Sequence, residues 1–247
     1  MKGIILAGGT GSRLWPLTQV TNKHLLPIGE VPMIEFPLNT LNKIRTNSIS
    51  IVTGGEHFQD IAKCLSILNS NINFSYHYQP KAGGIAQALS IVEPFVKNEK
   101  IAVILGDNIF EEDFYEAAKQ FENSNMGAML FLKRVNDPER FGVAEIKEDK
   151  IVSIEEKPNN PKSNLAVTGL YFYDLTIFDK IKKLKPSPRG ELEITDVNKL
   201  YLQEERLGYH IIDGFWSDAG TQDSLPKCSD FVKKSGLSKN IYRLLTR

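Results

Sequence analysis

Three glycines and an arginine mark the stretch best suited to chemistry. Gly3–Thr18 reads GIILAGGTGSRLWPLT, with Gly8, Gly9 and Gly11 directly after a short apolar run. Glycines past a strand lack Cβ atoms, so they can turn sharply and bring backbone N–H groups against phosphate oxygens. Arg13, in the same loop, adds a planar guanidinium that matches phosphate geometry. Two familiar loops fail here. A P-loop needs G-x-x-x-x-G-K-[ST], and no Lys-Ser or Lys-Thr follows these glycines. A dinucleotide fingerprint needs a third glycine where Leu14 stands. Kinase-type and NAD-type binding therefore do not follow, and a plain tight turn stays open.

Other residues add to this set. Lys23, in NKHLLPIGEVPMI, lies between Pro16 and Pro27, which stiffen the chain and let a lysine be aimed inward. Asp107 ends an apolar run in LGDN, and Asp218 sits in GFWSDAGT. Either could be an ordinary turn or capping aspartate. Gln79, in YQPKAGGIAQAL, carries an amide that can both donate and accept hydrogen bonds, and Gly84 has no side chain to keep a ligand from the backbone. The alternative for Gln79 is a strand-end glutamine in water. Lys157 reads as a hairpin lysine and Arg189 as part of a Pro/Gly-rich loop. Cys64 and Cys228 are far apart, in no metal-ligand spacing, and read as idle thiols.

The elements that must position these residues alternate. Apolar runs at Lys2–Ala7, Ile49–Thr53, Phe74–Gln79, Ile101–Leu105 and Met129–Val135 predict strands. Between them fall helical faces: Phe58, Ile61, Leu65 and Leu68; Ile85, Leu89 and Val92; Phe114, Ala117, Ala118 and Phe121. That alternation implies crossover connections and a mostly parallel sheet. After about Arg134 the pattern changes. Val143–Ile146 and Ile151–Glu156 predict a hairpin, Ala166–Tyr173 a strand, Glu193–Gln203 a helix, Tyr209–Ile212 a strand, and Thr221–Phe231 a last helix. The expected fold is α/β, a single Rossmann-like, mostly parallel (mixed) sheet flanked by helices, with a smaller β-rich part. One domain over residues 1–247 is expected, with halves meeting near residue 134.

Composition narrows the classes. The chain has 247 residues, 41% hydrophobic and 24% charged, enough for one large α/β core without disulfides. Lys plus Arg and Asp plus Glu are both 30. That balance lacks the basic excess of nucleic-acid binders. No apolar stretch approaches the ~20 residues that span a bilayer, and the N-terminus lacks a signal-peptide pattern. A cytoplasmic protein is expected, with no membrane partner.

The glycine-loop segment and NKHLLPIG, in this order, resemble the sugar nucleotidyltransferase (nucleotide-diphosphate-sugar pyrophosphorylase) family. The resemblance continues through ILGDNIF at Ile104–Phe110, DPERFGV at Asp137–Val143, EEKP at Glu155–Pro158, AVTGLYFYD at Ala166–Asp174 and RGELEITD at Arg189–Asp196. It covers Lys2 to about Leu225. It implies a first half that binds nucleotide and a second that binds sugar phosphate. The implied substrates are dTTP (or UTP) and glucose 1-phosphate, and the implied cofactor is Mg²⁺, held by Asp107 and Asp218. Leu6, Gly8, Gly9, Thr10, Gly11, Gln79, Gly84 and Asp107 would contact nucleotide, with Arg13 on the β- and γ-phosphates and Lys23 near the α-phosphate. Arg13, Lys23 and Asp107 would be catalytic. Lys157 and Arg189 would hold the sugar phosphate, Glu156 would accept sugar hydroxyls, and Gly142, Val167, Gly169 and Tyr171 would shape that site. A phosphate monoester is already an anion at neutral pH, so no general base is required. The sequence departs from the pattern at His24, where relatives often carry Gln, and at Ala219, where they often carry Thr. It also matches the short form without a C-terminal helical segment. A homo-oligomer is expected. The rival readings are a UTP-using or other sugar-1-phosphate nucleotidyltransferase and a non-catalytic regulatory homologue, the latter disfavoured because Arg13, Lys23, Asp107 and Asp218 are all present.

Overall fold

The computed structural model describes residues 1–46, 48–55, 58–67, 72–96, 98–239 and 241. Among these the chain order is β1 (Lys2–Ala7), β2 (Pro27–Ile28), β3 (Val31–Pro32), α1 (Glu35–Lys43), β4 (Ser48–Thr53), α2 (Phe58–Ser66), β5 (Asn73–Tyr78), α3 (Ile85–Ser90), β6 (Ile101–Leu105), β7 (Asn108–Phe110), α4 (Tyr115–Glu122), β8 (Ala128–Arg134), β9 (Gly142–Lys147), β10 (Lys150–Glu156), β11 (Leu165–Tyr173), α5 (Thr176–Ile181), α6 (Ile194–Gln203), β12 (Leu207–Ile211), β13 (Trp216–Asp218) and α7 (Ser224–Ser235). The fold class is α/β, a mixed sheet flanked by helices with smaller antiparallel pairs. Each strand and helix expected from periodicity is present, its ends shifted by a few residues. Leu68, assigned to the face of α2, lies outside the described residues. No helix among the described residues is long and apolar enough to cross a membrane.

The chain forms two compact units, each assembled from separated stretches. The N-terminal unit comprises Lys2–Ala82, Ile104–Phe114 and the chain from Gly214 onward. Its β1, β4 and β5 are parallel, in register Gly3↔Ile49 and Ser48↔Asn73. Ile4, Ile5, Ile49, Ile51 and Val52 are fully buried, as expected of parallel strands covered on both faces. The N–H of Gly106, just past β6, donates to the Leu6 carbonyl at 2.9 Å, so that turn lies beside the end of β1. A small antiparallel ladder pairs β7 with β13 and sets Asn108 opposite Asp218.

The central unit comprises Gly83–Val103 and Tyr115–Asp213, with Met1. Here β8 is antiparallel to β11 and parallel to β12. The hairpin β9–β10 turns through Glu148 and Asp149, both at positive φ (48° and 57°), the geometry whose twist suits a two-residue hairpin loop. Its strand β9 meets β11 at Val167↔Gly142. The β8–β11 register breaks between Val167 and Tyr171, a bulge that re-aims the side chains there. Phe121, Phe131 and Phe172 build the core, with ring centroids 4.7 and 5.7 Å from Phe172.

Candidate active site

In the N-terminal unit the glycine loop is shaped by backbone demands. Gly9 and Gly11 have φ of 98° and 65°, the left-handed region that costs an L-residue with a Cβ. The Gly11 carbonyl accepts from Leu14 N–H and from Thr18 Oγ1, both at 2.8 Å. The short turn Ser12–Leu14 buries Leu14 and leaves Arg13 exposed. A Cβ on Gly8 would stand 2.2 Å from Gln79 Oε1, so the Gln79 side chain lies against this loop. Gln79 is buried rather than solvated, and its N–H donates to the Thr53 carbonyl at 2.8 Å. Leu6 is buried and Thr10 exposed.

Lys23 points inward. Its Nζ donates to Asp107 Oδ2 at 2.6 Å, with only 13% and 12% of the two side chains exposed. Asn22 fixes the turn that carries Lys23, because its Oδ1 accepts from His24 N–H at 2.9 Å and lies 2.8 Å from His24 Nδ1. Burial, then the Lys23 charge, pushes His24 down to about 3, against an opposing pull from Asp107. The imidazole is neutral at physiological pH, and Nδ1 carries the proton that meets Asn22. Burial would raise the Asp107 carboxyl, but the Lys23 charge, with hydrogen bonds from Lys23 and Asn108, outweighs it and holds the group well below the usual carboxylate range.

These groups face one small space. A Cβ on Gly220 would lie 3.2 Å from Asp107 Oδ2, 3.6 Å from Asp218 Oδ2 and 3.7 Å from Arg13 Nη2. Arg13, Asp107 and Asp218 thus border a common point, and Lys23 joins through its bond to Asp107. Two hard carboxylate oxygens suit a magnesium ion, which takes one or two carboxylates and fills its sphere with water and phosphate oxygens. No group of three or more His, Cys, Asp or Glu that could cage a metal occurs among the described residues. Sequence reasoning missed the frame around Asp107. Ala219 N–H donates to the Asp107 carbonyl at 2.8 Å, Asn108 Nδ2 to Asp107 Oδ1 at 3.0 Å, and Trp216 Nε1 to Asn108 Oδ1 at 2.7 Å. The letters GDN and FWSD carried that signal, but their pairing could not be read from the chain.

In the central unit, Gly142, Glu156 and Val167 come together with Thr195, which sequence reasoning did not single out. A Cβ on Gly142 would meet Thr195 Oγ1 at 3.3 Å, Glu156 Oε2 at 3.5 Å and Val167 Cβ at 3.6 Å. Thr195 Oγ1 donates to Glu156 Oε2 at 2.5 Å. Arg189 is tied down rather than loose: its Nη2 donates to both Glu193 oxygens at 2.8 and 2.9 Å and to Glu156 Oε1 at 3.4 Å. Lys157 is half-exposed, its Nζ 4.0 Å from Glu156 Oε1. Its φ of 43° is unusual for a lysine, and its N–H is anchored on the Phe141 carbonyl at 3.0 Å. Such a conformation costs ~1–3 kcal/mol and concentrates at ligand sites. Gly169 falls in the bulged stretch of β11. Tyr171 is buried and stacks on Tyr173 at 5.9 Å, the habit of a core aromatic. Gly84 belongs to this unit, and its lack of a side chain answers to backbone packing, since a Cβ would stand 2.6 Å from the Leu192 carbonyl oxygen.

Residues 2–235 match the family described as Nucleotidyl transferase. The glucose-1-phosphate thymidylyltransferase of Neisseria meningitidis serogroup A / serotype 4A is 44% identical over 98% of this chain and 86% of its own length. The enzyme of the same name from Mycolicibacterium smegmatis is 41% identical over 98% and 85%. A Bacillus anthracis crystal structure, described as a candidate glucose-1-phosphate thymidylyltransferase in complex with sucrose, superposes with a TM-score of 0.88 at 53% identity, covering 94% of each chain. A UDP-glucose pyrophosphorylase complexed with UDP-glucose shares the fold at TM-score 0.85 and 24% identity, covering 95% of this chain and 98% of that one.

Proposed function

The chain belongs to the nucleotidyl transferase family, and from that premise we propose that it joins dTTP to glucose 1-phosphate, releasing dTDP-glucose and pyrophosphate. It is an enzyme of sugar-nucleotide synthesis. The observation that carries the reading is the meeting of Arg13, Asp107 and Asp218 beside Gly220, with Lys23 bonded to Asp107. Relatives at 40–45% identity carry the thymidylyltransferase name, and this supports the choice of substrates.

The reaction is a displacement at phosphorus. A phosphate oxygen of the sugar phosphate forms a bond to the α-phosphorus of the triphosphate. The bond from that phosphorus to the bridging oxygen of the β-phosphate breaks, and pyrophosphate leaves with the electron pair. Catalysis of such a step is positioning plus charge stabilisation. Arg13 grips the β- and γ-phosphates and stabilises the departing charge. Lys23, now held on Asp107, turns to the α-phosphate region when substrate supplies a stronger anionic partner. Asp107 and Asp218 would hold magnesium, which would neutralise charge on the phosphate oxygens. The glycine loop offers backbone N–H groups, and Gln79 reads the pyrimidine edge. Lys157 and Arg189 take the phosphate of the sugar substrate, and Glu156, oriented by Thr195, accepts a sugar hydroxyl.

The test is a panel: purified protein, Mg²⁺, each nucleoside triphosphate against several sugar 1-phosphates, with pyrophosphate release measured. The highest kcat/KM is expected for dTTP with glucose 1-phosphate. UTP should follow within ~10–200-fold, because the two bases differ by one methyl. Faster turnover with a purine triphosphate, or none with any pyrimidine triphosphate, would overturn the proposal.

A further inference from the structure

The hydrogen bonds behind Asp107 have a fixed direction. An indole N–H only donates, so the atom of Asn108 that meets Trp216 Nε1 at 2.7 Å is the carbonyl oxygen. The amide nitrogen of Asn108 is then turned to Asp107 Oδ1 at 3.0 Å, donating. Trp216 is 9% exposed and Asn108 2%, so water does not replace the indole at this contact. Without the indole N–H, the Asn108 carbonyl oxygen loses this donor, and the amide is held less firmly in the orientation that donates to Asp107 Oδ1.

Resting on the reading of Asp107 as a metal ligand, we propose that Trp216 is a positioning residue that locks the Asn108 amide, and that this lock commits Asp107 Oδ1 and so turns Oδ2 toward Lys23, Asp218 and the divalent cation. One carboxylate oxygen is committed to Asn108. The other is shared by Lys23 and the point beside Gly220. The β7–β13 ladder sets this up, because it places Trp216 opposite Phe110 and Asp218 opposite Asn108. Partners behind a metal ligand fix its orientation, and losing one typically costs 10–100-fold in metal affinity.

Trp216→Phe removes the N–H and keeps most of the ring packing. Mn²⁺ affinity is measured directly by electron paramagnetic resonance titration, in the absence of turnover, alongside the thermal midpoint. About a 10-fold weaker Mn²⁺ affinity is expected for Trp216→Phe. On an Asn108→Ala background the same change should add little, because no amide remains for the indole to orient. Wild-type Mn²⁺ affinity in Trp216→Phe would overturn the lock. So would an undiminished effect of Trp216→Phe on the Asn108→Ala background, which would point to packing alone. Asp107→Asn is the control for the underlying reading. If it binds Mn²⁺ like the wild type, the metal assignment falls and the lock with it.

Discussion

At the scale of single residues, charge has been taken out of water at Lys23 and Asp107. Removing such a pair from water costs more than ordinary packing returns unless the geometry is very good, so the 2.6 Å contact is a weak device for stability. It becomes intelligible as a holding arrangement, in which each group waits for a ligand of opposite charge. Lys157 differs. It is 48% exposed, and its bonds leave its ammonium near Glu156 but unburied. Lys157→Ala should therefore leave folding intact. A charge-assisted contact is worth about 1.5–3 kcal/mol, so the KM for the sugar phosphate should rise ~10–100-fold while the KM for the nucleotide stays within about twofold. Initial rates with each substrate varied in turn check this, and an unchanged sugar-phosphate KM would remove Lys157 from that site. Which residues could do chemistry was legible from type and context: glycines with Arg13, the stiffened Lys23, and acids after apolar runs. Their neighbours were not, because Asn108, Trp216 and Thr195 have no chemistry that shows until a partner stands beside them.

At the scale of elements, the periodic segments were readable and α1 was not. Every residue of α1 from Glu35 to Leu41 is buried, the polar Glu35, Asn39 and Thr40 included, so residue type does not mark a solvent side, and Pro37 within its first turn reads as a breaker although that position is tolerated. The β7–β13 pair is equally silent, since strands of three residues carry no alternation to detect. Helix α1 also carries a pH-sensitive group. Burial raises the Glu35 carboxyl from 4.5 to about 6. In that window the native state binds the proton more tightly than the unfolded chain. Stability from this group is therefore full below pH 4.5 and is lost as pH rises through about 6. Glu35→Gln removes the loss. Its melting temperature relative to wild type should be near zero difference at pH 4 and higher at pH 7.5. A difference that does not vary across thermal melts at those pH values would contradict the assignment.

At the scale of the whole molecule, a chain with 30 basic and 30 acidic side chains has no net field to attract a polyanion, so local geometry must do so. The alternation of strands and helices gave away the α/β class. The division into units was hidden, because each is stitched from stretches far apart in the chain, and the packing of those stretches within a unit leaves no local pattern. The central claim is that Asp107, with Lys23 and Arg13, activates a triphosphate together with a divalent ion. Its most direct test is the rate of pyrophosphate release by Asp107→Asn with dTTP, glucose 1-phosphate and saturating Mg²⁺, on protein whose circular dichroism matches the wild type. A fall of about 10²-fold or more is predicted, on the scale of losing one well-placed electrostatic group. Turnover close to the wild-type rate would contradict the account.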